Sequence, residues 1–485
     1  MHRNLQHTFH VPPLALQKRY FEDQDLAIVY HPYSHSLFEI DRRSALMLKL
    51  IEMNTPIPKV SELTGIPIND IKRNLDCFYS YIENLKPREI IDFAKPSVIW
   101  VLNCLRCNLR CRYCYTLGGE AIDSYLNVQD SDKKVEYFIK AIDKLHDVFG
   151  DSVRNVDIFG GGEPLVDFES VKKIIDHIDR EGYGYKLAMI TNGTLLDKEK
   201  AEYLKAHNVR LTLSIDGPRV VNDLNRVKKN GQGIFDDLMK AIKILKDLDY
   251  EFDIQTTYTR EAYELGYTPK DLVEYLSTLS RYIIIQPAQE MLSLGTGSDN
   301  LSTMHLFVEY LDAVFRELTK PKPRFYDMIA TVELGLFGRK AIKGVLCPFP
   351  SFLTILPGGK IISCHTLPHY VIGDVRELHS PRDLIARVEQ LNGINRKLTE
   401  LIDNRYRWLV SLQDICPAQI FKGIKEILFH IQHSKPFIPR YLDYAGIFWD
   451  AFILNVYKYS RDGLLQRIYD NVAQLAQKRR LEGVH

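Results

Sequence analysis

Residues 98–115 read Val98-Ile-Trp-Val-Leu102-Asn-Cys104-Leu-Arg-Cys107-Asn-Leu-Arg-Cys111-Arg-Tyr113-Cys114-Tyr115. A β-prone apolar run stops at four cysteines crowded into eleven positions. Downstream, the same arrangement of an apolar run and then a glycine-rich or polar turn recurs. Strand-like runs are predicted at 98–102, 156–159, 187–191, 211–215, 252–256 and 282–285. Helical stretches separate them, among them 133–149, 171–180, 198–207 and 235–248. Repeated βα units imply a parallel sheet covered by helices. Six of them fit an α/β fold built as a partial (β/α)6, TIM-like barrel. Chemistry in such folds collects at the C-terminal ends of the strands. The unusual residues fall there: the cysteines after the first run, GGGEP (160–164) after the second, TNGT (191–194) at the third, and SIDGP (214–218) at the fourth.

Composition narrows the reading. The chain has 485 residues, 45% apolar and 26% charged, with 63 basic against 62 acidic side chains and a net charge of +1. That length implies two to four domains. The charge balance argues against a nucleic-acid partner, which would call for a basic excess. The opening MHRNLQHTFHVPP lacks the apolar region of a secretory signal. Residues 444–456 contain Asp450 and are too few to span a bilayer. The expectation is a soluble, cytoplasmic protein with no membrane partner. Eight cysteines in such a chain suggest metal or iron–sulfur ligands rather than disulfides.

Cys107, Cys111 and Cys114 form CxxxCxxC, and three thiolates suit a cluster with one iron left open. A structural zinc site using all four clustered cysteines is the alternative. CNLRCRYCY, together with GGGEP, TNGT and SIDGP, resembles the radical S-adenosylmethionine (radical SAM) superfamily over residues 95–290. The resemblance implies a [4Fe–4S] cluster on Cys107, Cys111 and Cys114. Its free iron would chelate the methionyl amino and carboxylate groups of S-adenosylmethionine. One electron, from a donor such as flavodoxin or ferredoxin, would then yield a 5′-deoxyadenosyl radical that takes a hydrogen atom from the substrate. By motif, Tyr113 packs near adenine, and Gly161, Gly162 and Glu163 receive the methionyl amine. Asn192, Ser214 and Asp216 contact ribose or carboxylate. Arg226 grips the carboxylate, with Asn222 where many relatives carry His.

Two further resemblances flank the barrel. Cys347, Cys364 and Cys416, with Gly359 and Cys364 as GxxxxC on a hairpin, resemble the twitch or SPASM extension. They imply one auxiliary Fe–S cluster over residues 345–420, its fourth ligand open among Cys104, His365, solvent and a substrate thiol. Residues 1–90 resemble a winged helix-turn-helix element that binds the leader of a precursor peptide. Within it, strands are predicted at 26–30 and 35–40. Asp41 caps a helix, a short helix at 60–64 is closed by Gly65, and a third carries a stripe from Ile68 to Leu85. Cys77 in that helix is expected to be a buried structural thiol. Residues 86–97 read as a linker, 300–344 as connecting helices and 421–485 as a helical tail, with Leu465, Ile468, Val472 and Leu475 as a packing stripe. The expected function is maturation of a ribosomally synthesised peptide, with an intramolecular thioether or carbon–carbon crosslink formed in its core. Epimerisation, backbone excision, and dehydrogenation or sulfatase-maturase-like oxidation are the enzymatic alternatives. An Fe–S or zinc winged-helix regulator is the non-enzymatic one.

Overall fold

Strand β4 (Val98–Val101) starts a run of six βα units. It is followed by α4 (Lys134–Phe149), β5 (Asn155–Ile158), α5 (Phe168–Glu181), β6 (Lys186–Thr191), α6 (Lys198–Ala206) and β7 (Arg210–Ser214). Helices α7 (Arg219–Asn225) and α8 (Phe235–Asp247), β8 (Phe252–Tyr258), α9 (Arg260–Glu264), α10 (Pro269–Leu276) and β9 (Tyr282–Pro287) complete it. The computed structural model describes residues 17–21, 26–31, 36–53, 55–83, 96–114, 116–120, 133–150, 152–159, 161–288, 304–321, 323, 352–362, 371–378, 380, 382–390 and 454–482. Strands β4 to β9 pair in sequence order, all parallel, and each lies within three residues of its predicted bounds.

The two faces of this sheet differ, because side chains alternate along a strand. Ile99, Val101, Val156, Ile158, Leu187, Met189, Leu211, Leu213, Ile254, Ile283 and Ile285 are all buried against the helices in one continuous core. Helices α4 and α5 present Phe138, Ile142, Val171, Ile174 and Ile178 to it. Trp100, Asp157, Phe159, Ala188, Ile190, Gln255, Thr257 and Ile284 lie on the opposite, inner face and are only half-buried. The inner face is therefore less completely buried than the outer one.

The sheet continues past β4. Strand β10 (Phe352–Ile355) pairs in parallel with β4, and β11 (Lys360–Ile362) and β12 (Val371–Asp374) follow antiparallel, giving nine strands. The expected hairpin around Gly359 is present, and Gly359 has φ +83°, the left-handed region that favours glycine. The boundary drawn at 345 thus crosses a continuous sheet. Cys347, Cys364 and Cys416 lie outside the described residues. Of the expected connecting helices, α11 (Met304–Leu318) is described. The tail packs on it: Asn455 Nδ2 donates to Val308 O at 3.1 Å, Lys458 pairs with Asp312 at 2.7 Å, and Asn471 Nδ2 donates to Leu318 O at 2.6 Å. Ile468 and Val472 of the last helix (Leu465–Glu482) are fully buried in the main core, as the stripe predicts.

The N-terminal unit has its own small core of Met47, Leu48, Ile51, Val60, Ile71 and Leu75. Its three-stranded antiparallel sheet, β1 (Gln17–Phe21), β2 (Leu26–His31) and β3 (Ser36–Asp41), precedes α1 (Arg42–Glu52), α2 (Ile57–Thr64) and α3 (Ile68–Glu83). Asp41 caps α1 by accepting from Ser44 N at 2.8 Å, and Gly65 ends α2 with φ +67°. Strand β1 has no counterpart in the sequence reading. Cys77 is exposed, not buried. It sits two positions after Leu75, about 200° around the helix from that buried residue.

The tail's burial generates a stability prediction. Ile468→Ala should cost about 2–5 kcal/mol and lower the urea midpoint with little change in slope. A midpoint unchanged from the parent protein would mean that the helix does not belong to the core.

Candidate active site

The cysteine loop is held by backbone rather than by packing alone. Arg110 N donates to Val227 O at 2.7 Å and Arg112 N to Asn225 O at 3.0 Å, so the loop runs beside the segment after α7. Gly162 N donates to Cys104 O at 3.1 Å and Glu163 N to Arg106 O at 2.9 Å. A Cβ on Gly162 would lie 2.2 Å from Arg106 O, and one on Gly119 1.9 Å from Leu105 O. Any side chain at either position would push the loop off the strand ends. Thr116 adds a hydroxyl bond to Gly161 O at 2.6 Å.

The sulfurs receive N–H donors. Leu109 N donates to Cys107 Sγ at 3.4 Å and Gly118 N to Cys114 Sγ at 3.2 Å. Such bonds favour thiolates and tune clusters. Cys107, Cys111 and Cys114 are half-buried, whereas Cys104 is fully buried with its sulfur 3.4 Å from Arg106 N. Burial pushes the Cys107 thiol up to about 11, with the Leu109 N–H opposing it. Burial pushes Cys111 up to about 12, and the Arg226 charge opposes it. Among the described residues, no three His, Cys, Asp or Glu side chains close on a single metal ion. In a cubane each thiolate binds its own iron corner.

Glu163 joins three of the motifs. Its Oε1 accepts from Leu165 N at 3.0 Å and Thr191 Oγ1 at 2.5 Å, and its Oε2 accepts from Asn192 N at 2.8 Å. Burial raises its carboxyl above the usual range, and these three donors oppose the rise. Asn192 Nδ2 donates to Asn108 Oδ1 at 3.0 Å, and Asn108 Nδ2 donates to Thr194 Oγ1 at 2.7 Å. TNGT is thereby fastened to the cysteine loop. Asn108, Thr116 and Thr194 were not singled out from sequence, although all three lie in or beside the motifs.

A second group lies under the loop. Tyr113 OH donates to Asp216 Oδ2 at 2.6 Å, and Arg226 Nε lies 3.1 Å from the same oxygen. The Arg226 guanidinium sits 5.5 Å from the Tyr113 ring centre. Asp216 Oδ1 accepts from Thr257 N at 3.0 Å. Asp216 is fully buried and Arg226 nearly so, so each requires the other's charge. Burial pushes the Tyr113 phenol well above its usual value. The terminal nitrogens of Arg226 and the hydroxyl of the half-buried Ser214 have no hydrogen bond to a described residue. The structure thus brings Tyr113, Gly161, Gly162, Glu163, Asn192, Ser214, Asp216 and Arg226 to the C-terminal ends of β4 to β7, beside the three cysteines.

Residues 104–279 match the family model of the radical SAM superfamily. That match supports placing this segment in the superfamily. The chain is 34% identical to "Uncharacterized protein MJ0907" of Methanocaldococcus jannaschii over 190 residues, 39% of this chain and 60% of that protein. It is 26% identical to "Radical SAM cyclopropyl synthase TigE" of Paramaledivibacter caminithermalis over 180 residues, 35% of this chain and 36% of that protein. The chain therefore spans about a third to three-fifths of these relatives' length. Its fold matches the solved structure "Native anSMEcpe with bound AdoMet and Cp18Cys peptide" with a TM-score of 0.57 at 17% identity, covering 77% of this chain and 99% of that one. The radical SAM α/β fold, with its partial barrel-like parallel sheet, is the shared feature.

The buried thiols generate a prediction for the iron-free protein. With pKa values of about 11 and 12, Cys107 and Cys111 hold their protons at pH 7.5. Alkylation by iodoacetamide should be slow there and rise about tenfold per pH unit towards those values, while the exposed Cys77 reacts first. Peptide mapping by mass spectrometry reads the rates. Equal labelling of all three at pH 7.5 would contradict the assigned burial.

Proposed function

We propose that this chain is a radical SAM enzyme that matures a ribosomally synthesised peptide and forms an intramolecular thioether or carbon–carbon crosslink in it. The observation that carries the reading is the convergence of the CxxxCxxC loop with GGGEP, TNGT and SIDGP at the C-terminal ends of four adjacent parallel strands. In this reading Cys107, Cys111 and Cys114 hold a [4Fe–4S] cluster. The N–H donors to two of the sulfurs and the Arg226 charge beside Cys111 suit a thiolate site. When bound, the cluster and S-adenosylmethionine supply a carbon-centred radical that removes a hydrogen atom from the substrate.

The chain's own residues bind and orient. Gly161 and Gly162 let backbone come close to the methionyl amine. Glu163, whose carboxylate already accepts three protein donors, fixes the position of that backbone and of Asn192. Arg226 offers its terminal nitrogens to the carboxylate, with Asp216 holding Nε in place. Tyr113 lies along adenine, and Ser214 offers a hydroxyl at the ribose. Cys347, Cys364 and Cys416 would hold an auxiliary Fe–S cluster, which would supply an acceptor for the electron released on bond formation or a site for a substrate thiol. An electron donor of the flavodoxin or ferredoxin type serves the first cluster. Among the described residues no helix is long and apolar enough to cross a membrane.

A peptide substrate is supported by the fold shared with a structure that holds AdoMet and a peptide. It is also supported by the N-terminal unit. There β1 and β3 are the outer strands of a three-stranded sheet, and an extended leader can add to such an edge through main-chain hydrogen bonds.

Anaerobic reconstitution should load about eight irons, the sum for two cubanes. Replacing Cys107, Cys111 and Cys114 together by Ala should leave about four and abolish 5′-deoxyadenosine formation. Retained cofactor cleavage in that triple variant would reject the assignment.

The N-terminal unit, with its separate core, should bind the leader with micromolar affinity, about −8 kcal/mol. Isothermal titration with leader peptide, and with duplex DNA as the control, decides it. Tight, salt-dependent DNA binding without peptide binding would favour the regulator reading.

A further inference from the structure

The segment between α7 and α8 folds back on itself. Val227 bridges Gly233 in antiparallel fashion and Lys228 N donates to Gln232 O at 2.8 Å, so residues 227–233 form a hairpin. Its first arm lies along the cysteine loop, with Leu109 bridged to Lys228. Arg110 N and Arg112 N, the amides on either side of Cys111, donate to Val227 O and Asn225 O, the carbonyls on either side of Arg226. The hairpin therefore sets the spacing between one proposed cluster thiol and the guanidinium assigned to the methionyl carboxylate.

Asp223, near the end of α7, closes the base of this hairpin. Its Oδ1 accepts from Ile234 N and Phe235 N, both at 2.8 Å, and from Asn222 Nδ2 at 3.1 Å. Helix α8 has no capping side chain at Ile234, so the Asp223 carboxylate serves its first N–H groups from across the hairpin. The fit is close: a Cβ on Gly233 would lie 2.2 Å from Asp223 Cγ. Asn222 carries the connection onward. Its Oδ1 accepts from Asp216 N at 3.3 Å, and its backbone O accepts from Arg226 N at 2.8 Å. One carboxylate oxygen is thus linked to both members of the Asp216–Arg226 pair and, through the hairpin, to the cysteine loop. Losing it would strand two backbone donors at the start of α8, one of them on the fully buried Ile234.

We propose that Asp223 is a positioning residue: by closing the 227–233 hairpin it holds Arg226 and Cys111 at the separation that lets one S-adenosylmethionine molecule meet both the guanidinium and the cluster. This role rests on the radical SAM reading, whereas the hairpin that Asp223 closes does not.

The test compares full-length Asp223→Ala and Asp223→Asn with Asp197→Ala. Asp197 caps α6 by accepting from Lys200 N at 2.9 Å, so its variant controls for the loss of a helix cap alone. Formation of 5′-deoxyadenosine under dithionite is measured against S-adenosylmethionine concentration. Asp223→Ala should raise KM for S-adenosylmethionine about tenfold or more, with a smaller change in kcat and the parent protein's iron content. Asp223→Asn keeps an acceptor at Oδ1 and should restore the parent KM, and Asp197→Ala should leave it unmoved. In the iron-free proteins Asp223→Ala should speed iodoacetamide labelling of Cys111 relative to Cys107, because Cys111, unlike Cys107, lies between amides that the hairpin holds. Should Asp223→Ala fail to fold, Asn222→Ala, which removes the acceptor for Asp216 N, should raise the same KM. An unchanged KM, an unchanged labelling ratio, or a KM raised equally in Asp223→Asn or Asp197→Ala would overturn the proposal. Normal cleavage by the wild-type protein with an unchanged KM in the variants rejects the role of Asp223 alone. No cleavage by the wild-type protein, with the labelling ratio shifted as expected, rejects the radical reading and leaves the hairpin closure standing.

Discussion

The buried carboxylate of Glu163 is the interaction on which the candidate site depends. Three separate chain segments must meet at the ends of β4, β5 and β6, and loops do not converge without fixed partners. Glu163 supplies them, accepting from Leu165 N, Thr191 Oγ1 and Asn192 N from within the protein. Its own backbone N–H donates to Arg106 O in the cysteine loop. One residue thus holds the second strand's turn against the third strand's turn and against the loop that carries the sulfurs. Removing one partner of such a buried, charged network costs far more than an exposed hydrogen bond.

The two faces of the sheet divide the work. The outer face is a continuous apolar core that takes in α4 to α11 and the C-terminal helix. It holds the strands in register regardless of what happens inside. The inner face carries Trp100, Asp157, Gln255, Thr257 and Arg210, each with some solvent access.

Much of this was legible in the sequence, and the reasons are local. Six parallel strands announce themselves as short β-branched runs ending in glycine or polar turns, and their bounds came out within three residues. The cap at Asp41, the stop at Gly65 and the stripe through Ile468 and Val472 follow from one-residue chemistry and helical spacing. Strand β1 did not show, because QKRYF has no alternation and becomes a strand only by pairing with β2. The parallel pairing of β10 with β4 joins residues some 250 positions apart, and no local pattern encodes it. Cys77 was misjudged although the spacing of Ile71 and Leu75 places it on the outward side. The motif residues gathered as expected, but their wiring through Asn108, Thr116 and Thr194 is a property of the fold.

The central claim is that three thiolates hold a cluster with one iron open to S-adenosylmethionine. Electron paramagnetic resonance of the anaerobically reconstituted, dithionite-reduced protein tests it directly. The account predicts the signal of a reduced [4Fe–4S] cluster whose g values shift when S-adenosylmethionine is added, because the ligand binds the open iron. A cluster signal indifferent to the cofactor, or no cluster signal from iron-loaded protein, would contradict it.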